Sequence, residues 1–253
     1  MLDFSFDGVS LSSFGGRMLQ PPSHQIAARN KSFVKIYGQS GDEIIDNQSY
    51  NNVPFSLKIC FLPFFAQQTA QDLARAVIDW LAPLQDGYYI YRDSLNDGYF
   101  TKAALTNFEE ITRELPTLLT ATLKFSRVPF WYKDSGATAI SLYTGSSNSI
   151  INPEAYPSEP LYRWVYERGG NETANITVNG VTTAVPLATG ATTYYLDNVC
   201  KQFYRISDNQ KIYLGSLLLP DLKPGTNTVL FNLNGSISSG SFHLEIIPNW
   251  RRL

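Results

Sequence analysis

The chain opens on a clean alternation, with Leu2, Phe4 and Phe6 on one side of an extended segment and Asp3, Ser5 and Asp7 on the other. Successive side chains of a strand point to opposite faces, so this pattern predicts a half-buried β-strand. Asp7–Gly8 supplies residues that tolerate the positive φ of a tight hairpin turn. Val9 and Leu11 then resume an apolar face, which Gly15–Gly16 breaks. From Gln20 to Asn52 the pattern dissolves. Pro21–Pro22, Arg29–Asn30–Lys31, Gly38–Gln39–Ser40–Gly41 and Asp46–Asn47–Gln48–Ser49 are polar or turn-forming, and only Phe33–Tyr37 looks strand-like between them. So long a stretch with so little core-facing pattern is either a long hairpin loop or an arm that lies on a neighbouring subunit.

Order returns at Val53. Phe55, Leu57, Ile59 and Phe61 alternate with Ser56, Lys58 and Cys60, predicting a strand over Val53–Phe65. Leu73, Val77, Trp80, Leu81 and Leu84 then recur at helical spacing and form one apolar stripe. Thr69 and Asp72 are placed to cap this helix, because the Thr side chain satisfies a free N–H and the acid sits at the positive helix end. Pro83 ends it at about Ala82 by clashing with the preceding turn. The reading is one helix over about 69–82, covering a sheet face with its aromatic in the core. Tyr88–Tyr91 and Tyr99–Phe100 flank the turn cluster Asp93–Gly98 as a hairpin, and Leu105–Ile111 and Leu118–Val128 continue the sheet. Pro129, unable to donate to a ladder, marks the end of a central strand.

After Lys133–Asp134–Ser135–Gly136 no helical stripe recurs. Short strands separated by Gly, Asn and Pro turns follow at Leu161–Tyr166, Asn175–Val178, Thr192–Leu196, Gln202–Ile206, Lys211–Leu219, Thr228–Asn232 and Ser241–Ile247. This spacing predicts a β-sandwich. Asn179–Gly180 is a hairpin signal, and Pro224–Gly225–Thr226–Asn227 reads as a second turn. The sequence therefore divides into domains at 1–132 and 133–253, with Phe130, Trp131 and Tyr132 as the candidate inter-domain joint.

Composition agrees with two packed domains. The 253 residues are 43% hydrophobic and 17% charged, enough to build real cores. The 13% aromatic content suits strands and protein interfaces. A net charge of −2 with no basic stripe argues against nucleic-acid recognition. The N-terminus lacks the pattern of a signal peptide, and no apolar run approaches the roughly 20 residues of a membrane span, so folding in a reducing cytoplasm and no membrane role are expected. Cys60 and Cys200 are expected in strands as buried, small apolar thiols.

Candidate chemistry is sparse. The chain has only His24 and His243, no zinc spacing, no phosphate loop and no nucleophile elbow. Glu109 and Glu110 are adjacent and, on a strand, would point to opposite faces. The expectation is no catalytic residue, no metal and no cofactor, hence a binding or assembly protein. Tyr162, Trp164 and Tyr166 share one strand face. That face is either core or a platform on which Trp164 stacks against a saccharide.

With the elements in order, the whole chain resembles the distal tail proteins of siphophages that infect Gram-positive bacteria. The resemblance rests on Phe4–Ser5–Phe6–Asp7–Gly8–Val9 with Gly15–Gly16, the polar segment Gln20–Asn52, the single helix after a strand, and the exit Phe125–Ser126–Arg127–Val128–Pro129–Phe130–Trp131–Tyr132. It continues through Asn152–Pro153, Pro157–Ser158–Glu159–Pro160–Leu161, Tyr195–Leu196–Asp197–Asn198 and Leu219–Pro220–Asp221–Leu222–Lys223–Pro224–Gly225–Thr226–Asn227. It implies an N-terminal β-sandwich with one α-helix and an extended belt, followed by a galectin-like β-sandwich. It also implies a homohexameric ring at the virion tail tip. That ring joins the tail tube protein and tail-associated or tape measure proteins to baseplate or receptor-binding proteins. The belt, with Arg29, Lys31, Phe33 and Tyr37 as candidate inter-subunit contacts, would wrap the neighbouring protomer. The alternative is a carbohydrate-binding module for host cell-wall saccharide, with Trp164 as its contact.

Overall fold

The computed structural model describes residues 2–22, 26–108, 110–115, 117–143, 145, 147–166, 173–186, 192–215, 220–234 and 243–253. His24 and Glu109 lie outside the described residues. The chain forms two compact units, one running to Trp131 and the other from Tyr132 to Arg252.

The first unit holds β1 (Phe4–Phe6), β2 (Val9–Ser10), β3 (Gly16–Met18), β4 (Arg29–Lys35), β5 (Asp42–Tyr50), β6 (Val53–Phe61), α1 (Pro63–Ala66), α2 (Ala70–Leu81), β7 (Tyr89–Asp93), β8 (Tyr99–Phe108), β9 (Thr112–Leu115) and β10 (Leu118–Arg127). Seven of these strands form a curled sheet in the order β2-β1-β7-β8-β10-β6-β3, with β9 on β10. β6 pairs with β10 over its whole length, from Phe61 opposite Leu119 to Val53 opposite Arg127. The alternation read from the sequence sets the core: Phe4, Phe6, Phe55, Leu57, Ile59, Phe61, Leu123 and Phe125 are buried, while Ser56 and Lys58 are exposed. Aromatic rings dominate it, with Phe55 stacked on Phe125 at 5.1 Å and Phe4 on Tyr91 at 5.7 Å. Aromatic pairs add about 0.5–1.5 kcal/mol each beyond their buried area.

The helix α2 lays Leu73, Val77, Trp80 and Leu81 into this core, the stripe predicted from their spacing. Trp80 also donates its indole N–H to the carbonyl of Phe6 at 3.4 Å, tying the helix to β1. Thr69 caps the helix: its hydroxyl accepts from the Asp72 N–H at 3.2 Å and donates to the Asp72 carboxylate at 2.7 Å. The helix ends at Leu81, and Ala82–Gln85, containing Pro83, continues as a single 3₁₀ turn. Two details differ from the sequence reading. Val9 is exposed, because the chain leaves β2 into the 3₁₀ turn Leu11–Phe14, and of the two only Leu11 reaches the core. The strand expected to run to Phe65 ends at Phe61, because Pro63, with no N–H to give a ladder, opens the short helix α1. Cys60 is buried, as the sequence reading has it.

The boundary falls within β11 (Trp131–Lys133), and the second unit goes on with β12 (Ile140–Tyr143), β13 (Ser147–Asn152), β14 (Leu161–Tyr166), β15 (Thr173–Val178), β16 (Val181–Pro186), β17 (Thr192–Asp197), β18 (Gln202–Ser207), β19 (Gln210–Gly215), β20 (Gly225–Asn234), β21 (His243–Ile247) and β22 (Arg251–Arg252). One sheet runs β12-β21-β14-β17-β18-β19 and the other β13-β20-β15-β16. Tyr162, Trp164, Tyr194, Leu196, Phe203 and Ile246 of the first share one core with Ile150, Ile176, Val178 and Phe231 of the second. This is the sandwich that the strand spacing predicts.

Asn179 and Gly180, at φ 51° and 83°, make the two-residue turn between β15 and β16. The second predicted turn is shorter than expected. Only the start of Pro224–Asn227 bends, and Thr226 and Asn227 already lie in β20. Buried Asn227 instead clamps the bend, accepting from the Lys223 N–H at 2.9 Å and donating to the Lys223 carbonyl at 2.8 Å. Cys200 also departs from expectation. It is exposed, in a turn built by Asp197, whose Oδ1 accepts the N–H groups of Val199 and Cys200 at 2.9 and 3.1 Å.

Candidate assembly interface

The described part of the polar segment between Gln20 and Asn52 forms a two-stranded hairpin, β4 paired among the described residues only with β5. Its sequence hides this because both faces are solvent-exposed, so neither strand shows an apolar alternation. Residues directly opposite each other in an antiparallel pair share a face. Lys31 with Asp46, Phe33 with Ile44 and Lys35 with Asp42 therefore form one face, and Ser32 with Ile45 and Val34 with Glu43 the other. The first face is an apolar centre, Phe33 at 65% and Ile44 at 56% exposure, framed by an acid and a base on either side.

The base of the hairpin is anchored. Arg29 donates to Asp46 at 2.7 Å and to the Tyr50 hydroxyl at 3.0 Å, with its guanidinium 5.2 Å from the Tyr50 ring centre. Hydrogen bonds from the Gln48 N–H and from Arg29 hold the Asp46 carboxyl below its ordinary range. Tyr50 in turn packs edge-on against Phe130 at 5.6 Å. Beyond this base the arm has no core. An isolated two-stranded hairpin is at best marginally stable in water. Of the four candidate contacts, Lys31 and Phe33 share the framed face, Arg29 holds the base, and fully exposed Tyr37 sits in the connecting turn. The sequence pattern puts Tyr37 at the end of a strand; β4 ends two residues earlier, at Lys35, because the Gly38–Gly41 connection begins its turn there.

The aromatic triplet at the boundary is divided between the two units. Phe130 and Trp131 belong to the first: the Phe130 carbonyl accepts from the Thr101 hydroxyl at 2.8 Å, and buried Trp131 lies 6.1 Å from Tyr91 with Arg127 over its ring at 5.6 Å. Half-buried Tyr132 belongs to the second, where burial pushes its phenol pKa up despite the opposing charge of Arg251.

Trp164 is not available as a saccharide platform. It is 1% exposed, stacked on Tyr194 at 5.6 Å in the sandwich core, because the aromatic side of β14 faces the second sheet. Tyr162 is likewise buried, and the side chain of Tyr166 lies outside the described residues. Among the described residues no three His, Cys, Asp or Glu side chains gather where they could share a metal ion, and no helix is long and apolar enough to cross a membrane.

No protein-family model and no curated protein sequence matches the chain. Solved structures do. The Dit protein of phage SPP1, described as a paradigm of the hub adsorption apparatus in phages infecting Gram-positive bacteria, superposes with a TM-score of 0.64 at 16% identity, covering 97% of each chain. This chain has the Dit fold. Two chains of the phage p2 baseplate in its activated conformation share it. One has a TM-score of 0.51 at 10% identity over 100% of this chain and 98% of that one. The other has 0.53 at 9% identity over 97% of each. The likeness thus runs over nearly the whole chain, while few side chains are held in common.

Proposed function

We propose that the chain is a structural hub of a phage tail tip, forming a homohexameric ring that joins the tail tube to fibre and receptor-binding components. The observation that carries this reading is the arm. It presents Phe33 and Ile44 to solvent between Lys31, Lys35, Asp42 and Asp46, and it has no core of its own. On a neighbouring protomer the Phe33–Ile44 centre would be buried and the flanking charges would fix its register, much as charged rims fix the register of other interfaces. The whole-length likeness to the SPP1 hub protein supports the same reading.

In this reading the first unit makes the ring and continues the tube, and the second presents its sheets to peripheral proteins. The tail tube protein, tail-associated or tape measure proteins and baseplate or receptor-binding proteins are the proposed partners, and the virion tail is the site of action. Light scattering over micromolar concentrations tests the proposal. Assembly is expected alone or on addition of tail partners; a chain that stays monomeric throughout contradicts it.

A further inference from the structure

The outer face of the six-stranded sheet carries a continuous row of polar and aromatic side chains. Ser141, Glu245, Arg163, Tyr195, Tyr204 and Tyr213 stand opposite one another across β12, β21, β14, β17, β18 and β19 in turn. Tyr195 and Tyr204 stack face to face at 4.9 Å with ring planes 6° apart. Lys211 sits 3.8 Å from the Tyr204 ring centre and 4.9 Å from that of Tyr213. This stack holds the Tyr195 ring upright with one face covered. Its other face turns toward β14, where Arg163, Trp164, Thr193, Tyr195, His243 and Glu245 line a depression of about 270 Å³.

The polar side of this depression is fixed before anything binds. Arg163 donates to Glu245 through both Nε, at 2.5 Å, and Nη2, while His243 lies 3.4 Å from the other carboxylate oxygen. Burial pushes the Glu245 carboxyl up, but the hydrogen bonds from Arg163 and His243 outweigh it and hold it below its ordinary range. The carboxylate and guanidinium therefore stand side by side as acceptor and donor, with their charges balanced. Such a pair suits vicinal hydroxyls, one of which donates to the carboxylate while the other accepts from the guanidinium. It offers no net charge to an anion or a cation. An upright aromatic face beside a few fixed polar groups is the composition of a small-ligand site.

We propose that this face holds a neutral pyranose ring, its C–H face against Tyr195 and two adjacent hydroxyls on the Arg163–Glu245 pair. The site is independent of the hub reading, since it needs only the second unit's outer sheet. It also differs from a platform on Trp164, which faces the opposite side of the same strand.

The full-length protein should be titrated with methyl glycosides of glucose, galactose and N-acetylglucosamine by saturation-transfer NMR, with methyl glucuronide and inorganic phosphate as charged probes. At least one neutral glycoside should bind saturably, and both charged probes more weakly. Tyr195→Ala and Arg163→Lys should each weaken that binding by about tenfold, the effect of losing roughly 1.4 kcal/mol of contact. Tyr195→Phe should retain it, because stacking survives. Should Tyr195→Ala lower the melting temperature, the contrast between Arg163→Lys and Tyr195→Phe decides. Absence of saturable binding by every neutral glycoside, tighter binding of glucuronide or phosphate, or binding indifferent to Arg163→Lys would each overturn the proposal.

Discussion

Gly136 packs against the main chain of Trp250 so closely that a methyl group on it would overlap the Trp250 nitrogen and come within 3.1 Å of its Cβ and Cγ. The contact belongs to a zipper in which the Lys133 N–H donates to the Trp250 carbonyl and the Asn249 N–H donates to the Gly136 carbonyl, both at 2.9 Å. The last strand is thereby locked onto the first residues of the second unit, and buried Trp250 joins its core.

Gly136→Ala should therefore destabilise the protein by about 1–3 kcal/mol, the usual cost of forcing extra volume into a packed site. Urea unfolding of the full-length chain measures it. Gly180→Ala is a useful contrast: no atom lies near its added methyl group, so any loss there comes from its positive φ alone.

The helix cap makes a second prediction. Thr69→Ala removes the acceptor for the Asp72 N–H and should cost about 1 kcal/mol, whereas Thr69→Ser should cost little. Thermal melts of both variants check this, and equal losses would mean that the methyl group rather than the hydroxyl matters.

Glu245 predicts a pH dependence. Its folded pKa is depressed by Arg163 and His243, so its contribution is present above the unfolded value and fades as pH falls through the folded one. The melting-temperature advantage of the natural chain over Glu245→Gln should be full near neutrality and shrink below about pH 4, where glutamates ordinarily protonate. An advantage that is constant with pH would contradict the pairing.

For the arm, the double variant Phe33→Asp with Ile44→Asp should abolish self-association while moving the melting temperature little. Both side chains are exposed, and surface substitutions usually fall within about 0.5 kcal/mol. A large loss of stability in the monomer would show that the arm packs within its own chain instead.

What could be read from the sequence followed burial. Phe55, Leu57, Ile59 and Phe61 alternate because one face of β6 is core, and Leu73, Val77 and Trp80 recur at helical spacing because one side of α2 is. The arm escaped as a hairpin for the opposite reason: with both faces exposed, β4 and β5 carry no burial signal, and only their cross-strand register reveals the Phe33–Ile44 centre. Trp164 was legible as part of an aromatic face but not as to which way that face turned, since period-two alternation is blind to the choice of side. Arg163 and Tyr195 stand on the other side, and their meeting with Glu245 depends on pairing between strands far apart in sequence. Cys200 and Asn227 were misplaced by turn chemistry, in which Asp197 and Asn227 side chains stand in for backbone partners.

The central claim is that this chain builds a ring, and electron microscopy of the purified full-length protein, alone and with its tail partners, tests it most directly. The account predicts closed particles with six-fold symmetry and a central opening, lost in the Phe33→Asp, Ile44→Asp variant. Single copies only, or open and unsymmetrical aggregates that persist in that variant, would contradict it.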